Sequence, residues 1–103
     1  MNIQKMMKQA QKMQAELARA QEEMASRTVE AGAGGGKVTV VATCAGDVVS
    51  IKIDPAVVDP QDVEFLEEMV LAGVKAALAK GKEQSQAEMG RLSAGMGLPP
   101  GLM

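Results

Sequence analysis

Histidine is absent from the 103-residue sequence, and cysteine and aromatic residues occur once each, as Cys44 and Phe65. Without histidine, the chain cannot build Ser–His or Cys–His nucleophilic pairs or a histidine metal site. A single cysteine can form neither an intramolecular disulfide nor a structural zinc site, so we interpret Cys44 as a small buried hydrophobe. Because there is also no cofactor motif, we expect no catalytic activity, no cofactor, no metal site and no small-molecule substrate.

Long apolar runs are missing as well. No stretch approaches the roughly 18 residues that span a bilayer, and the N-terminal lysines are not followed by the apolar core of a secretory signal. This pattern predicts a cytoplasmic protein that does not bind membranes. The formal net charge of −2 argues against a uniformly basic nucleic-acid binder, so any electrostatic function must come from clustered charges.

The first segment, residues 2–26, contains no glycine or proline and is rich in helix-forming residues. Its apolar residues recur at alternating steps of three and four, a heptad pattern that predicts an amphipathic helix. We call this row the apolar seam; it consists of Ile3, Met6, Ala10, Met13, Leu17, Ala20 and Met24. Met7 lies beside the seam, and we interpret the methionines mainly as packing residues.

The next segment changes to β-branched residues and glycine, which predicts three short strands over residues 28–31, 37–44 and 48–53. Gly34-Gly35-Gly36 and Gly46-Asp47 supply turns, and such short connections imply an antiparallel meander. The glycines do not form a phosphate-binding loop, because Ala31 replaces the first glycine of that motif and Val38 replaces its Ser or Thr.

A second helix is predicted from Asp59, as the capping residue, and Pro60, in the first helical position, to about Leu92. Three internal glycines weaken that prediction. The nearby acidic residues fit capping and the helix dipole, although a magnesium site remains an alternative; they are Asp54, Asp59, Asp62, Glu64, Glu67 and Glu68. We therefore expect one domain over residues 1–92 and a flexible Gly/Pro-rich tail over residues 93–103.

Helix length indicates self-association. At 1.5 Å per residue the two helices are roughly 36 Å and 45–50 Å long, which exceeds what a globule of this size can wrap around a small sheet. A three-stranded sheet also leaves unpaired edges. A homodimer in which helices project from a shared central sheet would resolve both problems.

The basic residues of the first helix form a ridge opposite the apolar seam. With Ile3 at heptad position a, Lys5, Lys12 and Arg19 occupy position c and Lys8 occupies position f. No acidic residue precedes Glu16. A solvated helix face is the simpler interpretation, whereas phosphate contact is the functional one. If nucleic acid is bound, the near absence of aromatic residues favours duplex DNA over single strands.

Four segments of the sequence resemble the YbaB/EbfC family of nucleoid-associated proteins. They are Met7-Lys8-Gln9-Ala10-Gln11-Lys12-Met13-Gln14, Gly34-Gly35-Gly36, Ser50-Ile51-Lys52-Ile53-Asp54-Pro55 and Leu98-Pro99-Pro100-Gly101. Together they span nearly the whole chain in the family's order. Residues 58–64 depart from the family's usual pattern, which makes the start of the second helix the weakest part of the match.

The resemblance implies an α+β fold, with a three-stranded antiparallel sheet between two long helices, and a tweezer-like homodimer. It also implies binding of double-stranded DNA in the nucleoid, with a role in nucleoid organisation or gene regulation. The implied DNA-binding residues are Lys5, Lys8, Lys12, Arg19, Lys80, Lys82 and Arg91. An alternative function is a protein-interaction or chaperone-like module that grips its partner with methionine-bearing helical arms.

Overall fold

The computed structural model describes residues 2–95, and it confirms an α+β fold with a three-stranded antiparallel sheet. The elements in chain order are α1 (Ile3–Ser26), β1 (Thr28–Ala33), β2 (Val38–Thr43), β3 (Val48–Ile53) and α2 (Val63–Gly95), with a short 3-10 helix (Pro55–Val57) before α2.

Helix α1 begins at Ile3, one residue after the start of the predicted segment, and ends at Ser26 as predicted. Asn2 caps its first turn, because the Asn2 side-chain oxygen accepts a hydrogen bond from the Lys5 backbone N–H at 3.2 Å. Only Arg27 separates the end of α1 from β1. The Arg27 carbonyl accepts a hydrogen bond from the Cys44 N–H at 2.9 Å, so this one-residue junction is fixed to the end of β2.

The sheet has the order β1-β2-β3, with both neighbouring pairs antiparallel. The β1–β2 turn contains Gly34, Gly35 and Gly36, all with positive φ, which is a backbone region that favours glycine. In the β2–β3 pair, Val41 lies opposite Ser50 and Ala42 opposite Val48, so Val49 is the extra residue of a β-bulge. Both β1 and β3 are edge strands.

Helix α2 covers one face of the sheet, mainly over β1 and β2. The alternate β2 residues Val38, Val40 and Ala42 are fully buried beneath it, and they form the core with Met69 and Ala77. Gly73 and Gly81 lie four residues to either side of Ala77, and they allow the helix to approach closely. A Cβ at Gly81 would lie 2.9 Å from the Thr43 carbonyl oxygen. The glycines that weakened the helix prediction therefore serve packing.

The start of α2 differs from the prediction. The helix begins at Val63, and Asp62 caps it by accepting a hydrogen bond from the Phe65 N–H at 3.2 Å. The predicted cap at Asp59, with Pro60 in the first helical position, is wrong. The Asp59 side chain instead accepts from the Gln61 N–H at 2.9 Å, which closes a separate turn before the helix.

Helix α2 does not end at the predicted Leu92: it continues through Gly95, the last residue that the structure describes, and it buries Ser93. The remainder of the predicted tail, residues 96–103, lies outside the described residues.

The chain is elongated, with principal extents of 72 × 22 × 16 Å and a radius of gyration of 19.4 Å. A compact chain of this length would have a radius of gyration of about 13 Å. The elongation arises because α1 extends beyond the sheet: residues 2–12 are all exposed, and burial begins at Met13. We call residues 2–12 the arm.

Candidate nucleic-acid interface

The arm carries a ridge of positive charge. Lys5, Lys8 and Lys12 are exposed and, at 100° per residue, lie within about 60° of one another around the helix, on the side opposite the apolar seam. Lys5 and Lys12 are about 10 Å apart along the axis. Within residues 2–95, none of the three ammonium groups takes part in an ion pair. We call these residues the lysine ridge.

Towards the C-terminal end of α1, which we call its base, the positive ridge gives way to a mixture of positive and negative side chains. Arg19 continues it, but it lies in a shallow cleft with Glu16 and Glu23 of the same helix and with Glu88 and Arg91 of α2. The positive charge of Arg19 is thus offset by neighbouring carboxylates, in contrast to that of Lys5 and Lys8, which have no acidic residue within four positions on the helix.

Arg91 is engaged by a carboxylate within its own helix. Its guanidinium donates hydrogen bonds to both oxygens of Glu88, three residues earlier. This contact lowers the pKa of Glu88 and raises the pKa of Arg91. Several donors of the Arg91 guanidinium are therefore already occupied by Glu88, which leaves fewer of them free for a ligand.

Lys80 and Lys82 lie apart from the lysine ridge. The Lys80 ammonium donates to the Glu30 carbonyl oxygen at 3.0 Å, at the outer edge of β1. Lys82 is exposed and points roughly 200° around α2 from Lys80. The lysine ridge, by contrast, lies on the arm, whose nearest residue is about 22 Å along α1 from the Arg27 junction. The seven predicted residues thus divide into an arm group, a mixed-charge group at its base and a pair beside the sheet.

Sequence reasoning did not include two glutamines on the arm. Gln4 and Gln11 are exposed, and each directly precedes a lysine of the ridge, at heptad position b. Side-chain amides of this kind commonly contact phosphate oxygens beside lysines. Their seven-residue spacing was visible in the sequence and is the signal that could have identified them.

Three of the acidic residues near the start of α2 accept backbone hydrogen bonds that close a turn or cap a helix; they are Asp54, Asp59 and Asp62. Asp54 accepts from the Ala56 N–H at 2.9 Å and from the Lys37 ammonium at 3.3 Å. The backbone hydrogen bond from Ala56, followed by the contact with Lys37, lowers the pKa of Asp54. Across residues 2–95 there is no group of three or more potential metal-ligating Cys, Asp or Glu residues.

Two further observations concern single features. Cys44 is buried, 4% exposed, and its Sγ lies 3.8 Å from Oε1 of Gln84, as expected of a small hydrophobe in the core. No helix in the described part of the chain is long and apolar enough to cross a membrane.

The fold and the arm together define a small α+β protein that presents a basic helical ridge, an arrangement suited to phosphate groups. The chain belongs to the YbaB/EbfC DNA-binding family, whose sequence model matches residues 1–96. The resemblance seen in the sequence is thereby confirmed over nearly the whole chain.

Similar proteins agree with this assignment. A nucleoid-associated protein of Akkermansia muciniphila is 55% identical over 102 residues, covering 99% of this chain and 98% of its own length. A nucleoid-associated protein of Acetivibrio thermocellus is 52% identical over 101 residues, covering 98% and 89%. The crystal structure of an uncharacterised Helicobacter pylori protein matches with a TM-score of 0.72 and 18% identity, covering 84% of this chain and 91% of that one, and it supports the fold alone.

Proposed function

We propose that this protein binds double-stranded DNA as a homodimer, with the lysine ridge of each arm contacting backbone phosphates. The observation that carries the proposal is the exposed ridge itself: three lysines on one side of a projecting helix, none of which takes part in an ion pair within residues 2–95. The family's DNA-binding character and the names of the relatives support DNA as the ligand.

The preference for a duplex follows from the side chains that are present. Binding to single strands commonly uses aromatic rings on which bases stack, and the single ring of this chain, Phe65, lies on α2 and away from the arm. The ridge from Lys5 to Lys12 is about 10 Å long, which corresponds to about three base pairs of duplex rise at 3.4 Å each. Lysine–phosphate contacts carry no sequence information directly, so we expect little base specificity from the ridge.

The homodimer is supported by the exposed edge of the sheet. On β3, Val48, Val49 and Ile51 are 43, 58 and 44% exposed, an apolar edge strand of the kind that pairs with another chain. At the opposite edge, the Lys80 ammonium already occupies the Glu30 carbonyl of β1. We therefore propose that two copies associate through β3 and that their arms project from the shared sheet as a pair of tweezers.

Two such arms would present six lysines to one duplex. This number suits moderate, salt-sensitive binding, in keeping with a net charge of −2 on each chain. We accordingly propose a location in the cytoplasmic nucleoid and a role in nucleoid organisation or gene regulation, as the names of the relatives suggest.

The experiment that tests this function combines DNA affinity with molecular mass. Anisotropy of a labelled duplex should report salt-sensitive binding, and Lys5→Ala/Lys8→Ala/Lys12→Ala should weaken that binding and remove most of its salt dependence. Light scattering should give the mass of two chains, and Ile51→Lys should reduce it to that of one. Salt-independent affinity would contradict phosphate binding, whereas a monomeric mass at all concentrations would contradict only the homodimer.

A further inference from the structure

The apolar seam of α1 is buried near the base of the helix and exposed on the arm. Near the base, Ala20 and Met24 are buried. On the arm the heptad spacing continues unbroken, yet Ile3 is 68% exposed and Met6 is 54% exposed, and Met7 beside the seam is 57% exposed. An apolar row with this spacing is the pattern by which one helix packs against another. The exposed part of the seam therefore has the form of a helix-pairing surface.

The positions that flank the seam carry charge near the base but not on the arm. Near the base, heptad position g holds Glu16 and Glu23, which share a cleft with Arg91 of α2. On the arm, the flanking positions e and g hold Met7 and Gln9, which are uncharged. Flanking charges commonly set the choice of partner helix. The arm therefore lacks the charges that would select an oppositely charged helix.

Uncharged flanks suit a partner of identical sequence. When two identical helices pair in antiparallel orientation, position e meets position e and position g meets position g, so any charge there would face a like charge. In such a pair of arms, Met7 would meet Met7 and Gln9 would meet Gln9, without repulsion. The lysine ridges would point away from each other. With helix axes about 8–10 Å apart, their ammonium groups would be separated by more than the Debye length of about 8 Å at physiological salt.

The sizes of the seam residues favour the antiparallel orientation. In this orientation position a packs against position d, so Ile3 faces Met13. Met6 then faces Ala10, which places a large side chain opposite a small one. A parallel pair would instead place Ala10 against Ala10 and leave a gap. The antiparallel pair also brings Glu16 of one copy beside the start of α1 in the other, where the positive end of the helix has no acidic residue in its first turn.

We propose that the arms of two homodimers pair in antiparallel orientation through their exposed seams and thereby link the homodimers. Four side chains from each arm form a contact smaller than the roughly 1,200 Å² that a stable interface buries, so the pairing is reversible and increases with protein concentration. The lysine ridges remain on the outside of the pair. The link between homodimers rests on the homodimer of the proposed function, whereas the pairing of arms depends neither on that homodimer nor on DNA.

Disulfide formation in a mixture of Met6→Cys chains and Ala10→Cys chains tests the register, since native Cys44 is buried and slow to react. Facing seam residues should come within the Cα separation of about 4.4–6.8 Å that a disulfide requires. Under mild oxidation, the disulfide that joins the two different variants should exceed several-fold the disulfides between identical ones. Gln11→Cys in place of Ala10→Cys is the matched control, because position b points away from the seam, and it should give no such excess.

The other results of this experiment would overturn the proposal. Disulfides mainly between identical variants would contradict the antiparallel register. A lack of disulfides, or equal yields with the Gln11→Cys control, would contradict the pairing of the seams.

Sedimentation over a range of protein concentrations tests the link between homodimers. The average mass of the native protein should rise from that of two chains towards that of four. Met6→Gln/Met7→Gln removes apolar contacts but retains good helix formers, and it should hold the mass at two chains. Gln4→Ala/Gln11→Ala, at position b, is the matched control and should behave like the native protein. Circular dichroism would verify that both variants remain folded.

The same measurement separates this proposal from the homodimer. If the β3 homodimer does not form, the mass should rise from one chain to two, with the same difference between the two variants. A mass that does not change with concentration, or an equal rise in both variants, would overturn the pairing of homodimers through their arms.

Discussion

Replacing the three lysines of the ridge by alanine should remove most of the salt dependence of DNA binding. Alanine is the best helix former, so Lys5→Ala/Lys8→Ala/Lys12→Ala should leave α1 intact. In the proposed homodimer the two ridges would neutralise about six phosphates, and each would contribute about −0.9 to the slope of log K against log salt concentration. The native slope should therefore be about −5, equivalent to a loss of about 10³ in affinity between about 50 and 200 mM salt.

Fluorescence anisotropy of a labelled duplex across that salt range measures the slope directly. The triple variant should approach a slope of zero, and Lys8→Ala alone should reduce the slope to about −4, because it removes two contacts per dimer. Lys37→Ala is the matched control, since it removes one charge per chain at a turn far from the arm. If the triple variant kept the native slope, phosphate contact by the ridge would be refuted; a native slope near −3 would instead indicate a single arm on each duplex.

Three further predictions concern stability, each measured by urea unfolding. Gly81→Ala should lose about 1–3 kcal/mol, because its Cβ would press on the backbone beneath α2. Gly90→Ala meets nothing within 4 Å and should gain up to about 1 kcal/mol from helix propensity; a loss of stability in both variants would contradict the packing argument. Asp62→Ala should cost about 1 kcal/mol as the loss of the α2 cap, and a larger cost for Asp59→Ala would contradict that assignment. Because the pKa of Asp54 is lowered in the folded chain, its ionised carboxylate stabilises the fold at pH values above 3.8, the ordinary pKa of an aspartate. This stabilisation is lost as the pH falls through the pKa of Asp54 in the folded chain. Asp54→Asn should therefore be less stable than the native chain near neutral pH but not in strong acid, and an equal deficit at both would contradict it.

Local patterns predicted the helices and strands well. The heptad of α1 and the β-branched residues of β3 are features of residues close in sequence, and both elements lie within one residue of their predicted bounds. The start of α2 was harder, because Asp59 and Asp62 can each close a turn or cap a helix, and the sequence does not say which one does so. The internal glycines of α2 were misleading for a related reason: the benefit of Gly81 comes from a strand about forty residues away.

The residues of the candidate site also divide into those that the local sequence could predict and those whose contacts only the fold revealed. The lysine ridge was visible because its members share one helix face and precede the first acidic residue. The pairing of Arg91 with Glu88 was also within reach of sequence reasoning, at a spacing of three. The contact between Lys80 and the Glu30 carbonyl joins residues fifty positions apart, so only the fold could reveal that this ammonium is already engaged.

Because α1 joins β1 through Arg27 alone, a small rotation at this junction produces a large displacement at the far end of the helix. No flexible linker intervenes between the helix and β1, and the Arg27 carbonyl is tied to the end of β2. A rotation of only about 5° at this pivot would swing the tip of the helix, about 36 Å away, by about 3 Å, close to the rise of one base pair. In the proposed complex with DNA, small adjustments of packing at this junction would therefore change which phosphates the lysines reach. Substitutions at the Arg27 junction should therefore change the affinity for DNA, although the substituted residues are not among the proposed DNA contacts.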